Sequence, residues 1–133
     1  MNVPFLLAGV LALTAAAVHG IAGERIVVTK LRRETLPSSP FGGASFTMVM
    51  IRATWHITTI AFLVTGSALA ACTPVASSGA CDGIGRISSI AYAGFALLTI
   101  GLAMPHLRRA RLRHPAPLIF LLVAVLSWWG SVR

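Results

Sequence analysis

Four side chains carry the chemistry available in the apolar part of this chain. Arg52 and His56 stand one helical turn apart near the start of one apolar run, and His19 and Glu24 stand near the end of another. Ionisable groups are costly in an apolar helix, so each needs a partner or a use. At about 1.5 Å of rise per residue, both histidines lie roughly 6–8 Å inward of the charged layer. If the two runs are adjacent antiparallel helices, this spacing predicts two layers. One is a structural ion pair of Glu24 and Arg52 at the membrane interface. The other is His19 facing His56 one turn deeper.

Facing imidazoles can ligate a haem b axially, with Arg25 or Arg52 near the propionates and Gly20 making room for the ring. His19, Glu24 and His56 together can hold a divalent metal with one position open. The imidazoles can also relay protons. The plainer expectation, and the leading one, is a clasp in which each histidine bonds a carbonyl or a threonine hydroxyl of Thr14, Thr54, Thr58 or Thr59. No catalytic residue is assigned. The acidic residues are Glu24, Glu34 and Asp82, and none falls in the middle of an apolar run. There is no Gly-rich phosphate loop, no CxxC and no HExxH. The chain reads as a non-enzyme.

The elements that must position these groups are apolar runs. Of 133 residues, 56% are hydrophobic and only 11% charged, too few charges to cover a soluble domain of this size. The fold expected is all-α: a four-helix transmembrane bundle and a single four-span domain over residues 1–133. The spans are placed at about 3–22, 46–71, 84–104 and 116–131, which uses most of the chain. The first run has no Lys or Arg before it and a basic stretch after it. It therefore reads as a retained span rather than a cleaved signal.

The net charge of +8 is gathered mainly in two clusters, Arg25–Arg33 and His106–His114. Charges between apolar runs are laid out as topology signals, and nucleic acid is not an expected partner. Both clusters are expected on the cytoplasmic side, against anionic lipid headgroups, with both chain ends outside. The first is expected to continue as a short helix in the headgroup layer, with Val28, Leu31 and Leu36 near one face, before Pro37–Gly43 turns the chain. Cys72 and Cys81 flank a short, nearly uncharged loop on the outer side, where a disulfide is expected. Leu69-Ala-Ala-Cys72 resembles a lipobox, but far from the N-terminus.

In the third run Ala91, Gly94, Leu98 and Gly101 share a stripe that is expected to receive a neighbouring helix. Trp128 and Trp129 fit an interfacial aromatic belt. The four-span length is similar to that of small multidrug transporters, whose first-span Glu has no counterpart here. The function expected is therefore a structural or accessory subunit of a bacterial-type inner-membrane complex, or a homo-oligomer. A haem- or metal-binding bundle using His19 and His56 is the alternative, and a small transporter or channel the second.

Overall fold

The computed structural model describes residues 1–74, 78–103 and 115–133. Among them the chain is all-helical. The order is α1 (Val3–Ala17), a π-helical turn (Val18–Gly23), α2 (Glu24–Ile26), two 3-10 turns (Val28–Lys30 and Arg33–Thr35), α3 (Gly43–Ala71), α4 (Gly79–Ala103) and α5 (Ala116–Ser131). Three stretches are long and apolar enough to cross a membrane: Val3–Lys30, Gly43–Ala71 and Gly79–Leu102. α5 is apolar but shorter, at 16 residues. The second basic cluster, His106–His114, lies outside the described residues.

Two compact units divide the chain: Met1–Ala12 with Thr65–Arg133, and Leu13–Val64. In the first, helix starts are set by side-chain caps. The Asn2 carboxamide oxygen accepts from Phe5 N–H at 3.2 Å, and Ser78 Oγ accepts from Cys81 N–H at 3.3 Å. Each satisfies an N–H that has no partner inside its helix. Asn2 also donates its side-chain N–H to the Gly130 carbonyl at 2.9 Å and its backbone N–H to the Thr73 carbonyl at 2.9 Å. Phe5, Ala8 and Ala12 are buried on one face of α1. Beside them a Cβ on Gly9 would stand 3.0 Å from the Gly66 carbonyl oxygen, so these backbones meet with no side chain between them.

α4 packs on α5. Its buried face is Cys81, Gly85, Ser88, Tyr92 and Ala96, spaced by three and four residues. The Phe5 ring fills the space where Gly85 and Gly130 lack side chains; a Cβ on Gly85 would come within 2.7 Å of it. Higher on α4, Tyr92, Phe95 and Phe120 cluster with ring centroids 5.6–6.0 Å apart. Tyr92 shares a hydrogen bond of 3.0 Å with the Thr65 hydroxyl.

The expected packing stripe on this helix receives no helix of this chain among the described residues. Gly94, Leu98 and Gly101 are exposed, and a Cβ on either glycine would meet nothing within 4 Å. The headgroup-layer helix also differs. Residues 28–35 form two separate 3-10 turns, with Leu31 and Arg32 extended between them. α4 starts earlier than expected, at Gly79, because Ser78 caps it.

The Cys72–Cys81 disulfide forms, with Cα atoms 5.6 Å apart, and joins the end of α3 to the first turn of α4. Large apolar side chains such as Leu7, Ile87, Ile90, Leu97, Leu102 and Val125 cover the outside. A water-soluble monomer does not expose that much contiguous apolar surface, whereas lipid solvates it. Replacing both cysteines by serine is expected to lower the unfolding free energy by about 2–3 kcal/mol, from the closure entropy of a short loop. Equilibrium unfolding of both proteins in the same detergent measures it.

Candidate functional site

All four chemistry-bearing side chains lie in the second unit, Leu13–Val64. They are arranged around a defect in helical geometry. After Ala17 the helix widens into the π-helical turn Val18–Gly23, which contains His19, Gly20 and Gly23. In an α-helix, residues five apart point about 140° away from each other. In a π turn the hydrogen bonds join i to i+5, so residues five apart come close to one face. His19 and Glu24 are five apart, and the turn brings both toward α3.

There they meet consecutive residues. His19 stacks on the Trp55 ring at 4.2 Å between centroids and 12° between planes. The Trp55 indole N–H donates to the His19 carbonyl at 3.0 Å. A helix carbonyl and an indole N–H both need partners in apolar surroundings, and here each satisfies the other. Phe62, only 2% exposed, stands edge-on to the imidazole at 5.7 Å. The glycines make the approach possible. A Cβ on Gly20 would come within 2.8 Å of the Thr59 methyl, and one on Gly23 would overlap the Trp55 ring.

The next residue, His56, turns away from His19 toward Glu24, with Nε2 and Oε2 3.6 Å apart. That is ion-pair range but longer than a hydrogen bond, and that carboxylate oxygen has no hydrogen-bond partner. The side chains are 52% and 30% exposed, so solvent weakens the attraction.

The partners of Glu24 and His19 therefore differ from those expected. Glu24 pairs with His56 rather than Arg52, and the Arg52 side chain is exposed. His19 faces Trp55 rather than His56. Among the described residues no three His, Cys, Asp or Glu side chains gather where they could hold a metal ion; of His19, Glu24 and His56, only the last two form an ion pair. No family model, curated protein or solved structure matches this chain. The residue that sequence reasoning missed is Trp55, although it sits inside the Arg52–His56 stretch. The signal available was an aromatic residue opposite Gly20 and Gly23, which are small and three apart.

Beside the stack an open cleft of about 500 Å³ runs along α3. Phe46, Met50, Ile51 and Trp55 form its apolar walls, with Ser39 and Thr54 among its polar lining.

Trp55→Phe keeps a ring for His19 but removes the donor. It is expected to cost about 1 kcal/mol, the net worth of one neutral hydrogen bond. Gly23→Val is expected to cost more, because its side chain claims the space of the Trp55 ring. Unfolding in detergent, followed by circular dichroism, measures both. A Gly23→Val protein as stable as Trp55→Phe would show that the close approach is dispensable. In a double-mutant cycle, Glu24→Gln with His56→Asn is expected to give a coupling under about 1 kcal/mol.

Proposed function

We propose that this chain is a small, non-enzymatic integral membrane protein, a structural or accessory subunit of a larger inner-membrane complex of bacterial type or of a homo-oligomer. The observation that carries this reading is how the intramembrane ionisable groups are used. His19 is stacked on Trp55, and His56 is turned to Glu24. They pair helices by a ring stack and an ion pair, not by the carbonyl and threonine bonds expected of the clasp, and the two imidazoles face different partners. The open space at Gly94 and Gly101 supports the subunit part of the reading, since small residues let another helix come close.

In this reading the four helices form one membrane domain with α5 as the fourth span. Both chain ends are outside. The basic segments Arg25–Arg33 and His106–His114 lie on the cytoplasmic side against anionic headgroups, following the positive-inside rule. The Cys72–Cys81 disulfide supports an outer position for the loop between α3 and α4, because disulfides persist in oxidising compartments. Exposed Trp128 and Trp129 near the C-terminus fit the outer interfacial belt.

The protein extracted in mild detergent is expected to be colourless and free of stoichiometric metal, and to run at the mass of an assembly rather than of a 14.0 kDa chain. A Soret band that disappears in His56→Ala would overturn the reading in favour of a haem-binding bundle. A strictly monomeric particle, with no cross-linked partner in the native membrane, would remove the subunit role. In intact cells, Cys72 and Cys81 are expected to react with an impermeant maleimide from the outer side, and only after reduction. Labelling from the cytoplasmic side alone would invert the topology.

A further inference from the structure

We propose that the cleft beside Trp55 binds a small, uncharged, lipid-soluble amphiphile. This is a molecule with an apolar body and one carbonyl or hydroxyl oxygen, which accepts a hydrogen bond from the Thr54 hydroxyl. The cleft lies wholly within the Leu13–Val64 unit, and its volume of about 500 Å³ is that of a small-molecule site. No Lys, Arg, Asp or Glu lines it, so a charged ligand would enter without a counter-charge. Its walls are mainly hydrocarbon, and α3 is one of the helices long and apolar enough to cross a membrane. The body of the ligand therefore arrives from lipid.

Thr54 is singled out by a contrast with the other threonines. A threonine in an apolar helix ordinarily returns its hydroxyl to the carbonyl four residues back. Thr58 does so to Thr54 at 3.0 Å, Thr59 to Trp55 at 3.2 Å, Thr73 to Leu69 at 3.3 Å and Thr99 to Phe95 at 2.8 Å. Thr47, also in the cleft, donates to the Pro37 carbonyl at 2.9 Å. Thr54 makes no such bond; the residue lines the cleft, and its hydroxyl hydrogen is uncommitted. Ser39 accepts from Phe41 N–H at 3.2 Å and keeps its own hydrogen for a second contact. The Trp55 N–H is spent on His19 and the Thr58 hydroxyl on its own helix, whereas His19, which also lines the cleft, has a buried Nε2 with no hydrogen-bond partner. The polar specificity of the cleft therefore rests on two hydroxyls and one imidazole nitrogen, a small set that suits a ligand with a single neutral oxygen.

Trp55 is a built-in reporter once Trp128 and Trp129 are replaced by phenylalanine. The probes are a dibrominated long-chain alcohol, the matching dibrominated hydrocarbon and dibrominated phosphatidylcholine, each added to the full chain in detergent micelles. The alcohol is expected to quench Trp55 saturably, and the hydrocarbon and the phospholipid only in proportion to their mole fraction. Thr54→Val, which keeps the shape and removes the hydroxyl, is expected to weaken the alcohol about fivefold. Ile51→Phe, which fills the cleft without touching a hydroxyl, is expected to abolish saturation. An unchanged Trp55 emission maximum reports that each variant keeps the stack. Quenching by the alcohol that never saturates, that equals the hydrocarbon's, or that is indifferent to Thr54→Val overturns the proposal. Saturable quenching by the phospholipid that Thr54→Val weakens makes a bilayer lipid the occupant and overturns it equally.

Discussion

Lipid offers no hydrogen bonds, so every polar group on a membrane helix must find its partner within the protein. The contact of Trp55 with His19 meets that demand for two groups together and covers the imidazole face, while the imidazole Nε2 stays without a hydrogen-bond partner. The indole N–H is satisfied by a backbone carbonyl, that carbonyl is satisfied by the indole, and the imidazole face is covered by the indole ring. The rest of the second unit follows from this contact. Gly20 and Gly23 must be bare for the ring to approach. Phe62 fills the remaining edge of the imidazole. Because Trp55 is taken by His19, His56 points elsewhere and meets Glu24.

The first unit answers the same demand with different chemistry. Asn2 meets the backbone in three places: it caps α1 at Phe5 N–H and ties the helix start to the Thr73 and Gly130 carbonyls. Phe5 supplies volume where Gly85 and Gly130 supply none. In both units an aromatic ring is seated over bare glycine backbone. This is the packing that works without a hydrophobic driving force between helices, since it gains dispersion and close approach rather than burial from water.

The sequence shows which residues are helical and apolar, because run length and hydropathy carry that directly. The fourth helix begins and ends at the expected residues, Ala116 and Ser131, since Pro115 and Pro117 mark its start. The disulfide follows from two cysteines in a short loop. The candidate site was legible in membership and not in pairing. His19, Glu24 and His56 do come to one region, but their partners were assigned by counting at an α-helical rise and turn. The π turn between His19 and Glu24 changes that angle, and nothing in Val-His-Gly-Ile-Ala-Gly announces it beyond two glycines. Trp55, to which no role was assigned, is the one side chain there that both stacks and donates.

The choice of the face that α4 buries within this chain has a more general cause. In water, a helix declares its inner face by apolarity; in lipid both faces are apolar, and that signal vanishes. Small residues do not replace it here, because α4 carries them on both sides: Gly85, Ser88 and Ala96 inside, Ala91, Gly94 and Gly101 on or near the other face. What distinguishes the faces is the polar group that cannot be left in hydrocarbon. Tyr92 has one hydroxyl, and its partner within reach is Thr65. Turning Tyr92 inward fixes the rotation of the helix, and Gly85 and Ala96 follow it at the spacing of three to four residues. The inner face of such a helix is therefore better sought from a side chain whose hydroxyl must reach a partner on another helix than from its smallest residues.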